Sequence, residues 1–295
     1  MRHIYIIINN YILVTTRLSI AAVFGGNDVL KFDKLAEGIS YDGKTFDVSF
    51  FHNNDSDIID VCVPYIHQTK FDNLTYFFGY KFKPDVSSNV RTKFLHWIKG
   101  LDKSNMPSEF TVENLVEPPI AELNKIVNLS TFSCTLYPRS NRSDLTRIIQ
   151  RSVVHLIPRM NIESFELVKS TPKNIGFDWK QFNLDYQGTI GDHQYQQIKQ
   201  YIEETLLPKI HNLDYFSIAQ NVKYKYREYI TDYLQFETNE QEELFRSLNG
   251  GNILVLDDIN TSGATLTEIL KIVRSLAPES KIFIFTLIGN DRSNI

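Results

Sequence analysis

Asn252 to Leu270 reads NILVLDDINTSGATLTEIL, and its pattern decides the fold of the second half of the chain. Ile253 to Leu256 is an apolar run of β-branched residues and leucine, long enough for a buried strand. Two adjacent carboxylates, Asp257 and Asp258, close it. A loop of small and hydroxylated residues follows, Asn260-Thr261-Ser262-Gly263-Ala264-Thr265. Helical spacing then puts Leu266, Ile269, Leu270 and Val273 on one face. Such a strand, loop and helix start suits a sugar phosphate, because loop N–H groups and the helix dipole attract the phosphate. Gly263 has no Cβ to obstruct the approach. Thr261, Ser262 and Thr265 can donate hydroxyl hydrogen bonds, and the carboxylates can accept from sugar hydroxyls. A capped helix needs only one such residue. Paired acids, a glycine and several hydroxyls together ask for a ligand.

Working outward, strand and helix patterns alternate, which favours an α/β fold with parallel pairing. Thr131–Tyr137, Phe165–Lys169 and Lys281–Ile288 read as further strands, and Asp144–Ile157 as a helix. The turn between the strand at Tyr137 and that helix is Pro138-Arg139-Ser140-Asn141-Arg142-Ser143. Ser143 is placed to cap the helix. Arg139 and Arg142, with Ser140 and Asn141 beside them, offer forked, charge-assisted contacts suited to a pyrophosphate. In an open parallel sheet both turns would face one crevice beyond the strand ends.

The Asp257–Thr265 segment closely resembles the phosphoribosyl-pyrophosphate loop of type I phosphoribosyltransferases, with Ser262 in place of a second threonine. The resemblance covers roughly Asn128 to Asn290 and is interrupted by a non-matching insertion at about 178–243. It implies that Asp257 and Asp258 hold the ribose 2′- and 3′-hydroxyls as the catalytic acids. Asn260, Thr261, Ser262, Gly263, Ala264 and Thr265 would then bind the 5′-phosphate end of phosphoribosyl pyrophosphate. Arg139, Ser140, Asn141 and Arg142 correspond by position to the family's pyrophosphate loop. The family's closing loop would fall at Ser170–Gly176, with Lys169 and Lys173 as cations for the leaving group. The implied fold is a phosphoribosyltransferase-like parallel sheet flanked by helices over 116–295, with an additional β-rich region over 1–115. The implied activity is transfer of phosphoribosyl to a nitrogen nucleophile. Mg²⁺ would be the cofactor, held mostly by substrate oxygens and water, with Asp257 the one protein ligand to consider.

Composition bounds the alternatives. The 295 residues, 42% hydrophobic and 22% charged, are those of a globular chain of one large or two ordinary domains. A formal charge of −4 gives no global basic field to recruit nucleic acid. Cys62 and Cys134, far apart, read as reduced thiols of a cytoplasmic protein. The seven histidines show no metal-ligand spacing. Ile4–Ile8, broken at Asn9-Asn10, reads as part of a strand pair with Tyr11–Thr15 rather than a signal peptide or membrane span.

Further strands are expected at Phe46–Phe51 and Ile58–Val63, and helices at Asn89–Lys99, His193–Leu207 and Val222–Leu234. In the last of these, tyrosines would line one side with cations snorkelling beside them; the same mix could stack nucleic-acid bases. Lys103–Ser108 and Glu117-Pro118-Pro119 read as linker or entry segments. The partners this reading allows are phosphoribosyl pyrophosphate or a nucleotide, a second copy in a homodimer, and a protein or nucleic acid on 1–115 or 178–243. No membrane partner is expected. Two rivals to the enzyme stay open: a non-catalytic nucleotide sensor, and a partner-controlled effector, as in a toxin or anti-phage system, acting on nucleotides.

Overall fold

The computed structural model describes residues 4–8, 11–16, 19–23, 39–42, 46–48, 59–61, 67–68, 74–103, 106–140, 142–156, 162–259 and 263–289. Strands β1 (Ile4–Ile8), β2 (Tyr11–Thr16) and β3 (Ser19–Val23) form an antiparallel sheet of their own, so the expected strand pair gains a third member. Two more, β4 (Ile39–Tyr41) and β5 (Phe46–Val48), pair with each other. The central sheet draws on β6 (Ile59–Val61), β7 (His67–Gln68), β8 (Leu74–Phe82), β9 (Cys134–Pro138) and β10 (Glu163–Lys169). After a small antiparallel pair, β11 (Gly176–Phe177) with β12 (Ile230–Thr231), the sheet is completed by β13 (Leu234–Phe236), β14 (Asn252–Ile259) and β15 (Lys281–Gly289).

Its order is β13-β10-β9-β14-β15-β8-β6, with β7 also on β8. The five inner strands run parallel, while β13, β6 and β7 are antiparallel. This is the mostly parallel α/β sheet that the strand-helix alternation predicts.

Strand side chains alternate between faces, and two cores result. Leu254 and Leu256 of β14 belong to one, covered by α1 (Ser88–Ile98), α2 (Glu109–Val127) and α3 (Leu145–Leu156). Ile253 and Val255 belong to the other. That face is covered by α9 (Ala264–Leu276) and by buried or partly buried residues of the helices between β11 and β14. These helices are α4 (Trp179–Tyr186), α5 (Asp192–Tyr201), α6 (Leu207–His211), α7 (Ile218–Asn221) and α8 (Asn239–Arg246).

Four sequence expectations change. The boundary expected between 115 and 116 falls inside α2, and β8 is hydrogen-bonded along β15, so residues 74–115 belong to the parallel-sheet unit. Glu117-Pro118-Pro119 is no linker but the buried middle of α2. Pro119 cannot donate to the Leu115 carbonyl one turn back, and the Tyr80 hydroxyl of β8 donates to it instead (2.8 Å). Pro119 therefore faces the sheet, over Gly79, where a Cβ would lie 2.8 Å from Pro119 Cβ.

The helix expected over 193–207 becomes α5, a π turn at Ile202–Leu206 and then α6. Pro208 is the cause: with no N–H and a ring that crowds the preceding turn, it favours a shifted hydrogen-bond ladder. The helix expected over 222–234 is a 3₁₀ run at Tyr224–Tyr229 leading into β12 and β13. The i, i+3 pair Tyr226 and Tyr229 points inward, and Ile230-Thr231 is β-branched and extended. The cations lie over rings instead, Lys225 on Tyr226 at 4.8 Å and Lys223 on Tyr201 at 5.0 Å.

Candidate functional site

The chain moves from β9 to β10 in one direction across the sheet and from β14 to β15 in the other. Strand order therefore reverses between β9 and β14, and in open parallel sheets ligands generally bind beyond the C-terminal strand ends at such a reversal. The turns that follow these two strands are the two singled out from sequence, and they flank that point.

Asp257 and Asp258 end β14, and both are buried (7% and 6% exposed). Alternation sends them to opposite faces, Asp258 in the row of Leu254 and Leu256, Asp257 in that of Ile253 and Val255. Asp258 meets Lys99, with Nζ 2.8 Å from Oδ2. Lys99 is held there by the way α1 stops. Gly100 adopts φ +65°, the Gly100 N–H donates to Trp97 O (2.8 Å) and the Leu101 N–H to His96 O (2.9 Å), the paired bonds of a Schellman motif. Burial alone would lower the Lys99 ammonium, but Asp258 and Asp257 more than offset it and hold it above its ordinary range.

Asp257 has a different environment. Its Oδ1 accepts the Asp258 N–H (2.8 Å), and no cation forms an ion pair with it among the described residues. Burial, then the charge of Asp258, pushes its carboxyl up to about 7, against the opposing pull of Lys99. Around neutral pH it can therefore either accept or donate a hydrogen bond.

Asn260, Thr261, Ser262 and Asn141 lie outside the described residues. Gly263 sits at φ +72° and heads α9, with no side chain of its own to cap the helix. This leaves first-turn N–H groups for the preceding loop or for a ligand. Ala264 and Thr265 form that first turn. The insertion fixes it in place, since the Tyr233 hydroxyl donates to Ala264 O (2.8 Å) and the Tyr233 N–H to Glu268 Oε1 (3.2 Å).

The turn after β9 is more self-contained. Arg139 forms ion pairs with Glu166 and with Glu237 (3.0 Å), which hold its guanidinium above the usual range. The Arg142 N–H donates to Ser140 Oγ (3.4 Å), and its guanidinium carbon lies 5.9 Å from the centre of the Tyr215 ring. Ser143 accepts from the Leu145 N–H (3.3 Å), two residues on, which makes a local turn just ahead of α3 rather than the helix cap expected there.

Lys169 is engaged as well, donating to the Tyr215 hydroxyl and to Phe216 O (3.1 Å). Lys173 is exposed in a 3₁₀ turn, Pro172–Asn174. The segment expected to close over the site is pinned at both ends, the Ser170 N–H to Tyr233 O (3.1 Å) and the Asp178 N–H to Tyr229 O (2.7 Å). Cys134 is a free, buried thiol, and Cys62 lies outside the described residues.

No family model matches the chain, and no curated protein matches it. Among solved structures, a hypoxanthine phosphoribosyltransferase from Staphylococcus aureus is similar to it. The match covers 64% of this chain and 68% of that one, at 9% identity and a TM-score of 0.33.

Lys99, Tyr215 and Tyr233 are the site residues that sequence reasoning missed. Only Lys99 carries a local signal, a cation followed by glycine at the end of a helical pattern. The two tyrosines enter through packing of the insertion. Among the described residues no three His, Cys, Asp or Glu side chains gather as a metal site, and no described helix is long and apolar enough to cross a membrane.

Proposed function

We propose that the chain is a phosphoribosyltransferase-like protein that binds phosphoribosyl pyrophosphate or a ribose 5-phosphate nucleotide and transfers phosphoribosyl to a nitrogen nucleophile. One observation carries this reading. Paired acids, a left-handed glycine and a helix start follow one another at the strand end where the sheet order reverses. The 5′-phosphate would lie at 261–265 and the ribose hydroxyls against Asp257 and Asp258. Arg142, which has no carboxylate partner among the described residues, is the cation most open to the leaving group. Arg139 would have to exchange Glu237 for the ligand.

In the transfer, the C1–O bond to pyrophosphate breaks and takes its electron pair, the acceptor nitrogen bonds to C1, and that nitrogen gives up a proton. Positive charge grows on the ribose and negative charge on the leaving group, so the protein contributes position and electrostatic stabilisation. Mg²⁺ would neutralise pyrophosphate oxygens. It needs only one or two protein carboxylates besides substrate oxygens and water, and Asp257 at the end of β14 suits that requirement.

A sensor that binds without turnover is the second reading, favoured by the internal ion pairs of Arg139 and the tie between Lys169 and Tyr215. Calorimetric titration with phosphoribosyl pyrophosphate and Mg²⁺, followed by pyrophosphate release with a panel of nucleobases, tests both. Binding that is lost in Gly263→Val, with the fold intact by circular dichroism, supports the site. Release with one base supports the enzyme, and binding without release supports the sensor. Absence of binding, or unchanged affinity in Gly263→Val, overturns the site.

A further inference from the structure

A cavity of about 350 Å³ opens between the end of α1, the start of α2 and the start of α3. Its size is within the range of small-molecule sites. Lys99, Arg142, Arg147 and Arg151 line it against two carboxylates, Glu109 and Asp144, although the whole chain carries −4. Partners outside the lining reduce this excess to Arg142. Arg151 meets Glu109, and Arg147 meets Asp144 (3.5 Å) at the exposed rim, where such pairs are weak, and Glu166 (3.3 Å) outside the lining. Lys99 is committed to Asp258 beyond the cavity wall, and no carboxylate pairs with Arg142 among the described residues. Besides Ser143 the rest of the wall is apolar: Ile98, Val112, Leu145 and Ile148 are buried, and Met106 lies exposed among the lining residues.

We propose that this cavity binds a small organic anion with a compact apolar body, and that Lys99 is shared between that anion and Asp258. The apolar wall accepts the body, and the cations accept a carboxylate or phosphate. An anion close to Lys99 competes with Asp258 for the ammonium, so occupancy of the cavity loosens the ion pair between them. The cavity thereby gains a route to the strand end whether or not phosphoribosyl pyrophosphate is the ligand there.

Phenyl phosphate is the probe, with benzyl alcohol as its uncharged counterpart, followed by saturation-transfer NMR and calorimetry on the full chain. Saturable binding of phenyl phosphate but not benzyl alcohol is expected. It should weaken roughly tenfold or more in Arg151→Ala and be lost in Met106→Trp, which fills the cavity from an exposed position. It should persist in Gly263→Val. Asp258→Asn should tighten it several-fold by releasing Lys99. Binding that survives Met106→Trp and Arg151→Ala overturns the cavity as the site. If it is instead lost in Gly263→Val, the probe occupies the loop before α9, and the cavity proposal fails while the phosphoribosyl reading stands. Failure to bind phenyl phosphate at all overturns it too, and unchanged affinity in Asp258→Asn removes Lys99 from it.

Discussion

The turns after β14 and β9 look alike in sequence, each a strand end with charged residues followed by a helix, but they handle charge in opposite ways. After β14 the charges are buried, one lysine among the described residues answers two carboxylates, and Gly263 has no side chain to cap the helix start. After β9 the charges lie near the surface, Arg139 has two carboxylate partners, and Ser143 closes a local turn. The first turn holds unspent electrostatic potential that a ligand could relieve, whereas the second is largely satisfied within the fold. Similar residue types thus predict similar chemistry only until remote partners are counted.

The strongest way to break this comparison is to remove that lysine. Lys99→Met leaves Asp258 buried beside Asp257 with no ion-pair partner among the described residues, and should cost about 3–5 kcal/mol in urea unfolding, most of it recovered by adding Asp258→Asn. A loss no larger than that from an exposed pair would mean the two turns are not different in kind.

Asp257→Asn sharpens the contrast through pH. Burial places the folded-state pKa at about 7, above its ordinary value of 3.8. The folded state therefore binds the extra proton, and the stability this group contributes falls as pH rises from about 4 through about 7. The variant escapes that loss. It should be more stable than the parent at pH 8, on the order of 2 kcal/mol, with the gap closing as pH is lowered toward 4. Thermal unfolding across that range checks the sign. In an active enzyme the same substitution should slow turnover by roughly one to two decades, the value of one charged hydrogen bond.

At the β9 turn effects should be smaller. Arg139→Gln leaves Glu166 with Arg147 as a remaining partner (3.3 Å) and should cost about 1 kcal/mol or less. Smallest of all, Tyr215→Phe removes one hydroxyl from Lys169, which keeps the Phe216 carbonyl. About 0.5–1 kcal/mol is expected by denaturant midpoint, and phosphoribosyl pyrophosphate affinity should rise if that lysine is then free to serve the leaving group.

Much of the sheet was legible because buried parallel strands are continuous apolar runs, as in Ile253–Leu256 and KIFIFTLI at Lys281–Ile288. Helix α3 was equally plain from Leu145, Ile148, Ile149 and Val153, all buried. The paired acids were visible as a pair, but not their separation onto two faces, which depends on β14 continuing to Ile259 as strand. Lys99 was hidden because no periodicity links it to Asp258. Pro118-Pro119 misled because proline reads as punctuation, and only the Tyr80 hydroxyl shows how a helix can carry it. The tyrosines from 224 to 233 misled because a 3₁₀ run and a helix share the i, i+3 spacing.

The position of β15 between β14 and β8 also sets a schedule for synthesis. Tyr76 and its hydroxyl partner Thr286 are 210 residues apart in the chain. While the ribosome works through that interval, β8 has the short β6 and β7 as its described strand neighbours and α2 over one face, and the buried Tyr76 and Phe78 of its other face wait for β15. Among the described strands, β15 is the one that joins β8 to the other parallel strands. Such late closure slows folding and prolongs exposure of a sticky edge, so the nascent chain should lean on chaperones until β15 emerges.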